Sequence, residues 1–331
     1  MKFGPVPTRK AKGSILAHSI VCSGRRLRKG IILEDAHIAQ LSASGITEVT
    51  VAEMQDNDVH ENQAAAELAK ALVPDVTAAG LECTAAFTGR VNLVATGPGV
   101  VDLQVQRLIA LNSVDPMISF ATVPNYQQMQ KGGLVGTVKI ISYAVDGEKL
   151  RSACALGAGA IKILPPQIKT ASLVVSRNAN SNDEKGISAI KTRLDALGIS
   201  LENVIFTDHE IDPMAKALSA LKSELLLILT SSATSDPNDT APAAVRAAGG
   251  QVLRFGIPVD PGNLLFLGNI QSRPVIGFPG CVRSPALNGA DWVLSQVACG
   301  ISLDDNSFAQ MAIGGLLKEI PTRPQPRRPK K

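Results

Sequence analysis

Three stretches in the second half of the chain gather side chains able to handle an anion. One runs Thr230-Ser231-Ser232-Ala233-Thr234-Ser235-Asp236-Pro237-Asn238-Asp239 and leads into a helical pattern beginning Thr240-Ala241-Pro242. Small hydroxyl residues at a helix start satisfy its unpaired N–H groups, and those same groups hold an oxyanion well. An ordinary cap at Asp239 or Thr240, with Pro in the first turn, explains the same residues. Another stretch is Thr207-Asp208-His209-Glu210-Ile211-Asp212, with three acids in five residues. Such a run could hold Mg²⁺, which takes a few carboxylates plus phosphate and water. Capping by Asp212 ahead of Pro213 is the structural alternative, and His209 alone reads as a hydrogen-bonding group. The remaining stretch is Ile276-Gly277-Phe278-Pro279-Gly280-Cys281-Val282-Arg283-Ser284-Pro285. Its glycines let backbone come close to a ligand, and Arg283 offers a planar fork to phosphate. A plain tight turn is equally consistent with it.

These stretches need elements to hold them. The pattern predicts strands over 171–176, 204–207 and 224–230, and helices over 185–197, 213–221, 240–248 and 287–297. Gly198 and Gly249-Gly250 close two of the helices. Continuous apolar strands alternating with helices imply a parallel sheet covered on both faces. Ligands then bind beyond the carboxyl ends of the strands, at a topological switch point, which singles out loops 176–184, 207–212, 230–240 and 277–285. The first half is a mixed α/β region. It has a helix over 34–44 stopped by Gly45, a strand over 46–51, and a helix over 61–72 ended by Pro74. A stretch over 90–112 begins strand-like and turns helical at 102–111, and a strand follows over 135–145. The expected division is 1–167 for this region, 168–302 for a three-layer α/β/α domain with a mainly parallel sheet, and 303–331 for a C-terminal extension. No internal repeat is visible.

Composition bounds the function. The chain has 331 residues, 45% hydrophobic and 19% charged, enough apolar matter for about two packed domains. Its densest apolar run, Leu225 to Leu229, is too short to cross a bilayer, and Met1 to Pro7 shows no apolar leader segment. A cytoplasmic protein without a membrane role is expected. Five scattered Cys without a C-x-x-C pair argue against disulfides or a zinc ribbon, and four His without H-x-x-x-H spacing argue against a zinc site. The net charge of +4 comes from residues 321–331, which hold five Lys/Arg, four Pro and no acid; the rest has 28 basic against 29 acidic residues. A neutral body with 3% aromatics lacks the footprint of a nucleic-acid binder. The tail reads as a solvated end, with docking to an acidic partner as the alternative.

Over about residues 170–300 the stretches together resemble the molybdopterin-binding (MoaB/Mog-like) domain shared by molybdopterin adenylyltransferase, molybdopterin molybdotransferase and gephyrin. Asp208 falls where that family has an Asp after its second strand. Thr230 to Thr234 and Asp239-Thr240-Ala241-Pro242-Ala243-Ala244 align with its T-x-G-G-T-G loop and the Asp leading into T-P-[ED]-A. Pro274-Val275-Ile276-Gly277-Phe278-Pro279-Gly280-Cys281 matches P-V-x-G-L-P-G-N/S. A narrower likeness is to the molybdopterin-binding half of bacterial fusions with a nucleotidyltransferase, and it spans nearly the whole chain. It is carried by Ile257 to Leu265, Pro279 to Pro285, Gly314 to Pro321, Lys29-Gly30, Val59-His60-Glu61-Asn62-Gln63-Ala64-Ala65 and Thr137-Val138-Lys139-Ile140-Ile141. The likeness implies the stand-alone binding half of such a fusion.

The resemblance implies molybdopterin or the molybdenum cofactor as ligand, and Mg and ATP where a transfer reaction is run. Ser231, Ser232, Thr234, Ser235, Gly280, Cys281, Arg283 and Ser284 would bind it. Asp208 and Asp239 would be the catalytic carboxylates and the metal ligands. A thiolate at Cys281 could touch molybdenum; a buried inert Cys is the alternative. Implied partners are the molybdopterin-type small molecule and a separate nucleotidyltransferase or molybdoenzyme, with a homo-oligomer as the assembly. Three departures favour binding, storage or delivery over molybdate insertion or adenylyl transfer. Ser232-Ala233 replaces the paired Gly, Ser176-Arg177-Asn178-Ala179-Asn180 replaces T-G-D-E-L, and Asn263 replaces the Lys of P-G-K. A nucleotide-binding domain of the competence-damage-inducible type is the remaining reading.

Overall fold

Leu225-Leu226-Leu227-Ile228-Leu229 has no polar position, so a strand made of it must be covered on both faces. The computed structural model describes residues 1–177 and 183–317, and in it these five residues form a fully buried strand inside a six-stranded sheet. The chain divides into two compact units. One comprises 1–97, 101–125 and 131–163; the other comprises 98–100, 126–130 and the residues from 164 onward.

The sheet belongs to the second unit, whose elements are numbered here in chain order. Its strands are β1 (Thr170–Arg177), β2 (Ser200–Asp208), β3 (Leu225–Leu229), β4 (Gly250–Phe255), β5 (Phe266–Ile270) and β6 (Arg273–Phe278). Its helices are α1 (Glu184–Asp195), α2 (Ile211–Ala220), α3 (Thr240–Ala247), α4 (Gly289–Ala298) and the short α5 (Asp305–Gln310). The strand order is β2-β1-β3-β6-β5-β4. The first four strands are parallel, and β5 and β4 close the sheet antiparallel.

Alternate residues of a strand point to opposite faces, and the apolar strands supply both. Leu173, Val175, Leu227, Leu229, Ile276 and Phe278 pack with Ile190 and Leu194 of α1 and with Val293 and Leu294 of α4. Val174, Leu226, Ile228 and Val275 pack with Met214 and Leu218 of α2 and with Ala244 and Val245 of α3. The unit is therefore a three-layer α/β/α structure with a mainly parallel sheet. The chain leaves β1 toward β2 on one side and leaves β3 toward the rest of the sheet on the other. The topological switch point thus lies between β1 and β3, where open α/β sheets bind ligands.

The first unit is mixed α/β. Lys2–Pro7, Glu48–Glu53 and Ile15–Leu16 form one antiparallel sheet, with Glu48–Glu53 in the middle. Ile118–Thr122, Leu134–Ile140, Arg90–Ala95 and Leu81–Cys83 form another, in that order. Helix Glu61–Leu72 lies against Arg90–Ala95 and Leu134–Ile140 and buries Ala64, Ala65, Leu68 and Leu72. The strand expected over 135–145 is two, Leu134–Ile140 and Ala144–Asp146. A turn at 141–143 redirects the chain so that the second piece pairs with Asp58–His60. Among the described residues no helix is long and apolar enough to cross a membrane.

An acid-sensitive contact ties helix Gly147–Gly157 of this unit to the turn before Ile118–Thr122. Lys149 Nζ lies 2.7 Å from Asp115 Oδ2. That hydrogen bond, chiefly, holds the Asp115 carboxyl below its ordinary value of 3.8, with a further backbone bond from Met117. A carboxyl depressed on folding contributes stability above its unfolded value, and the contribution is lost as pH falls through the folded value. Urea-unfolding midpoints should therefore fall more steeply below the ordinary Asp range in the wild type than in Asp115→Asn. Equal acid slopes would refute this assignment.

Candidate functional site

Because β1, β3 and β6 are parallel neighbours, their carboxyl ends emerge along one edge. Ser176, buried near the end of β1, organises that edge. Its Oγ accepts from Ser231 N at 3.1 Å and bonds His209 Nδ1 at 2.9 Å. The other ring nitrogen of His209 bonds Ser232 Oγ at 3.1 Å, so the imidazole clamps the loop after β3 to the end of β1. Within that loop Thr230 donates to Ser232 O at 2.5 Å, and its hydroxyl lies 3.5 Å from that of Thr234. Ser231 Oγ is buried and, among the described residues, has no hydrogen-bond partner. Leaving a buried hydroxyl unpaired costs about 1–3 kcal/mol, so this oxygen carries an unmet hydrogen-bonding capacity in the loop.

The rest of the loop folds onto α3. Asp239 caps that helix, accepting from Thr240 N through Oδ1 at 2.7 Å and from Ser235 N through Oδ2 at 3.0 Å. Asp208, exposed at the end of β2, lines an open cleft of about 490 Å³ with Arg177, Phe206 and Lys216. In that cleft the Arg177 guanidinium stacks 3.3 Å above the Phe206 ring, and the buried Thr207 hydroxyl has no partner among the described residues. The two carboxylates read as a catalytic pair therefore occupy different settings, Asp208 beside two cations and Asp239 on a helix cap. Among the described residues no group of three His, Cys, Asp or Glu side chains could hold a metal ion. The hydroxyls of the loop after β3 can donate to an oxyanion, whereas its N–H groups at Ser231, Ser235 and Thr240 are already bonded within the protein.

The loop after β6 faces the loop after β3. Gly280–Arg283 forms a single 3₁₀ turn, in which Cys281 is half-buried and its carbonyl accepts from Ser284 N at 3.1 Å. Arg283 Nη2 donates to Thr230 O at 2.8 Å and to Asp183 Oδ1 at 3.3 Å. Asp183 is buried, and its other oxygen lies 3.9 Å from Arg177 Nε. Arg283, read as a phosphate fork, is thus already matched with a carboxylate, and an incoming anion must compete with Asp183 for it. Gly186 makes room for this arrangement, since a Cβ there would lie 3.0 Å from Arg283 Cγ. Ser284 positions the loop: its Oγ accepts from Ala286 N at 3.2 Å and its carbonyl accepts from Arg193 Nη2 at 2.9 Å.

Arg193 and Asp183 were not singled out from sequence, and Ser176 was noted only as the start of the run that replaces T-G-D-E-L. For Arg193 a signal existed. It shares the buried face of α1 with Gly186, Ala189, Ile190 and Leu194, and a charge on such a face demands a partner. Asp183 and Ser176 carry no such mark, because only the sheet brings their partners near. Residues 178–180 of the loop after β1 and the basic tail 321–331 lie outside the described residues.

Comparison with known proteins adds little that is specific. A family model described as a domain of unknown function (DUF8806) matches residues 5–53. No curated protein matches the chain. Among solved structures, the molybdopterin biosynthesis moea protein from Pyrococcus horikosii is 12% identical, with 93% of this chain and 76% of that one covered, at a TM-score of 0.28. A molybdenum cofactor biosynthesis protein from Pyrococcus furiosus is 14% identical, with 96% of this chain and 65% of that one covered, at a TM-score of 0.21. Similarities that low carry no argument about this molecule.

Proposed function

We propose that the second unit binds a molybdopterin-type ligand at the switch point between β1 and β3 and serves its storage or delivery. The observation that carries the reading is the loop Thr230–Thr234, rich in hydroxyls, in which Ser231 Oγ is buried and without a partner among the described residues. A phosphate there would take donors from the hydroxyls of Ser231, Ser232, Thr234 and Ser235. Gly280 and Cys281 line the facing loop, with Arg283 and Ser284 following. The motif resemblance gives the reading its ligand; the geometry supports an oxyanion site and not the rest of the pterin. A nucleotidyltransferase or molybdoenzyme would receive the ligand, and a homo-oligomer is the proposed assembly.

The reading is tested by titrating the purified full chain with molybdopterin and by assaying bound pterin as its fluorescent oxidation product. Ser231→Ala should lower affinity about tenfold or more, the effect of losing a hydrogen bond to a charged group. The same substitution should leave unfolding stability unchanged or slightly raised, because it removes an unpartnered hydroxyl. Undiminished affinity in the variant, or no binding by the wild type, would reject the site. Turnover with ATP and Mg²⁺ that disappears in Asp208→Asn would replace delivery by transfer, with Asp208 and Asp239 as its carboxylates.

A further inference from the structure

The clamp between β1 and the loop after β3 has the make-up of an activated nucleophile. Ser232 is exposed, and its Oγ lies 3.1 Å from His209 Nε2. His209 Nδ1 lies in turn 2.9 Å from the Oγ of Ser176, which is fully buried. A hydroxyl within hydrogen-bond reach of an imidazole, itself oriented by a third group, is the arrangement that turns a weak nucleophile into a reactive one. Ser176 can hold the ring in the form this needs. Its oxygen has two lone pairs. One takes Ser231 N–H at 3.1 Å, and the other can take Nδ1–H. The ring lone pair then sits on Nε2, toward Ser232.

The surroundings indicate what this pair could attack. Ser231 N and Ser235 N are spent on Ser176 and Asp239, but among the described residues Ser232 N, Ala233 N and Thr234 N bond nothing. Ala233 N–H directly follows the hydroxyl, the place from which a nucleophile elbow draws an oxyanion donor. The open cleft of about 490 Å³ begins at Arg177 and Asp208, the chain neighbours of Ser176 and His209, and gives a small substrate room. The pair also belongs to this sequence in particular. Ser232 stands in the place of the first of the paired Gly, and Gly carries no hydroxyl.

We propose that Ser232 is the nucleophile of an acyl-transfer site for small carboxylic esters, with His209 as its base and Ser176 as a positioning residue. His209 Nε2 takes the Ser232 proton as Oγ adds to the ester carbonyl carbon. The carbonyl oxygen becomes an oxyanion, which the N–H groups of Ala233 and Thr234 receive. The bond to the alcohol oxygen then breaks, and the alcohol leaves with the proton from His209. Water repeats the sequence: it gives a proton to His209, adds to the acyl carbon and releases the carboxylic acid, while Ser232 Oγ regains the proton. The proposal shares a loop with the binding site assigned above but takes nothing from the identity of that ligand.

The test treats the full chain with a fluorophosphonate probe, which bonds covalently to an activated serine, and with p-nitrophenyl acetate. Peptide mass spectrometry should find the probe on Ser232. Ser232→Ala should abolish the labelling and lower ester hydrolysis by about 100-fold or more, the worth of a positioned base and its nucleophile. His209→Ala should do the same, and free imidazole should restore labelling of Ser232 in it, which a merely structural histidine would not allow. Ser176→Ala should lower kcat for the ester and leave KM within about twofold, because it acts on the base and not on binding. Far-UV circular dichroism establishes that each variant is folded, and Ser232→Ala, an exposed change, carries the test if His209→Ala is not. A wild type that takes no probe, a probe found on another serine, labelling kept in folded His209→Ala without imidazole, or hydrolysis undiminished in Ser232→Ala would overturn the proposal. None of these measurements uses molybdopterin, so their failure leaves the binding reading standing, and failure of the molybdopterin titration leaves this one.

Discussion

Arg193→Met is expected to lower the unfolding free energy by about 3–5 kcal/mol, the cost of breaking a buried ion pair from one side. Arg193 is buried on α1, with its Nε 2.7 Å from Asp291 Oδ1. Its Nη1 donates to Ala189 O and Val282 O, and its Nη2 donates to Ser284 O and Ala286 O. Methionine fills the volume of the stem but returns none of these bonds. It strands a carboxylate that also completes the cap of α4 through Asn288 N. Arg193→Lys should recover only a fraction, because an ammonium cannot reproduce the fork. Urea unfolding followed by the fluorescence of Trp292, the single Trp of the chain, reads the effect. A loss under about 1 kcal/mol, the worth of an exposed pair, would show that the network is not a structural pin. The same variant should also weaken binding in the second unit, since Arg193 holds the loop that carries Arg283 and Ser284.

Gly277→Ala is the second large effect. Gly277 of β6 sits opposite Phe266 of β5, and the ring lies across the space where a side chain would be. A Cβ would come within 1.8 Å of Phe266 Cε1, and the ring is 1% exposed, with nowhere to retreat. Overpacking a core costs about 1–3 kcal/mol and occasionally more; so short a contact places this substitution at the upper end. Combining it with Phe266→Leu should cost less than the two singles added together, because the smaller side chain removes the clash. Strict additivity in a double-mutant cycle of unfolding free energies would show that the ring is not what excludes a side chain there.

How much of this was legible before the fold varied with the range of the forces involved. Helix Glu61–Leu72 was read within its bounds, since an Ala-rich segment and Pro74 are local signals. The three parallel strands β1, β2 and β3 were legible from their apolar runs, although β2 extends over Ser200–Asp208, well beyond the expected 204–207. The turn at 141–143 was not legible, because what breaks the strand is the pairing of Ala144–Asp146 with Asp58–His60. The loops able to carry chemistry were found by residue type, but their state was not. Asp239 reads equally as a metal ligand or a cap from its neighbours, and in the structure both its oxygens accept from backbone N–H groups.

By itself the sequence determined the repeating α/β pattern, the doubly covered sheet and the hydroxyl-rich loop ahead of α3. Each of these follows from side chains within a few positions of one another. Only the tertiary structure decided that Arg283 answers to Thr230, 53 positions away, and to Asp183, 100 positions away. The same is true of the turn Thr88-Gly89, which bonds Asn62, Ile140 and Lys139. The physical reason is that a parallel sheet and a helix laid on strands set distant residues side by side. The partners of a charge or a hydroxyl are then fixed by packing, which no local spacing encodes.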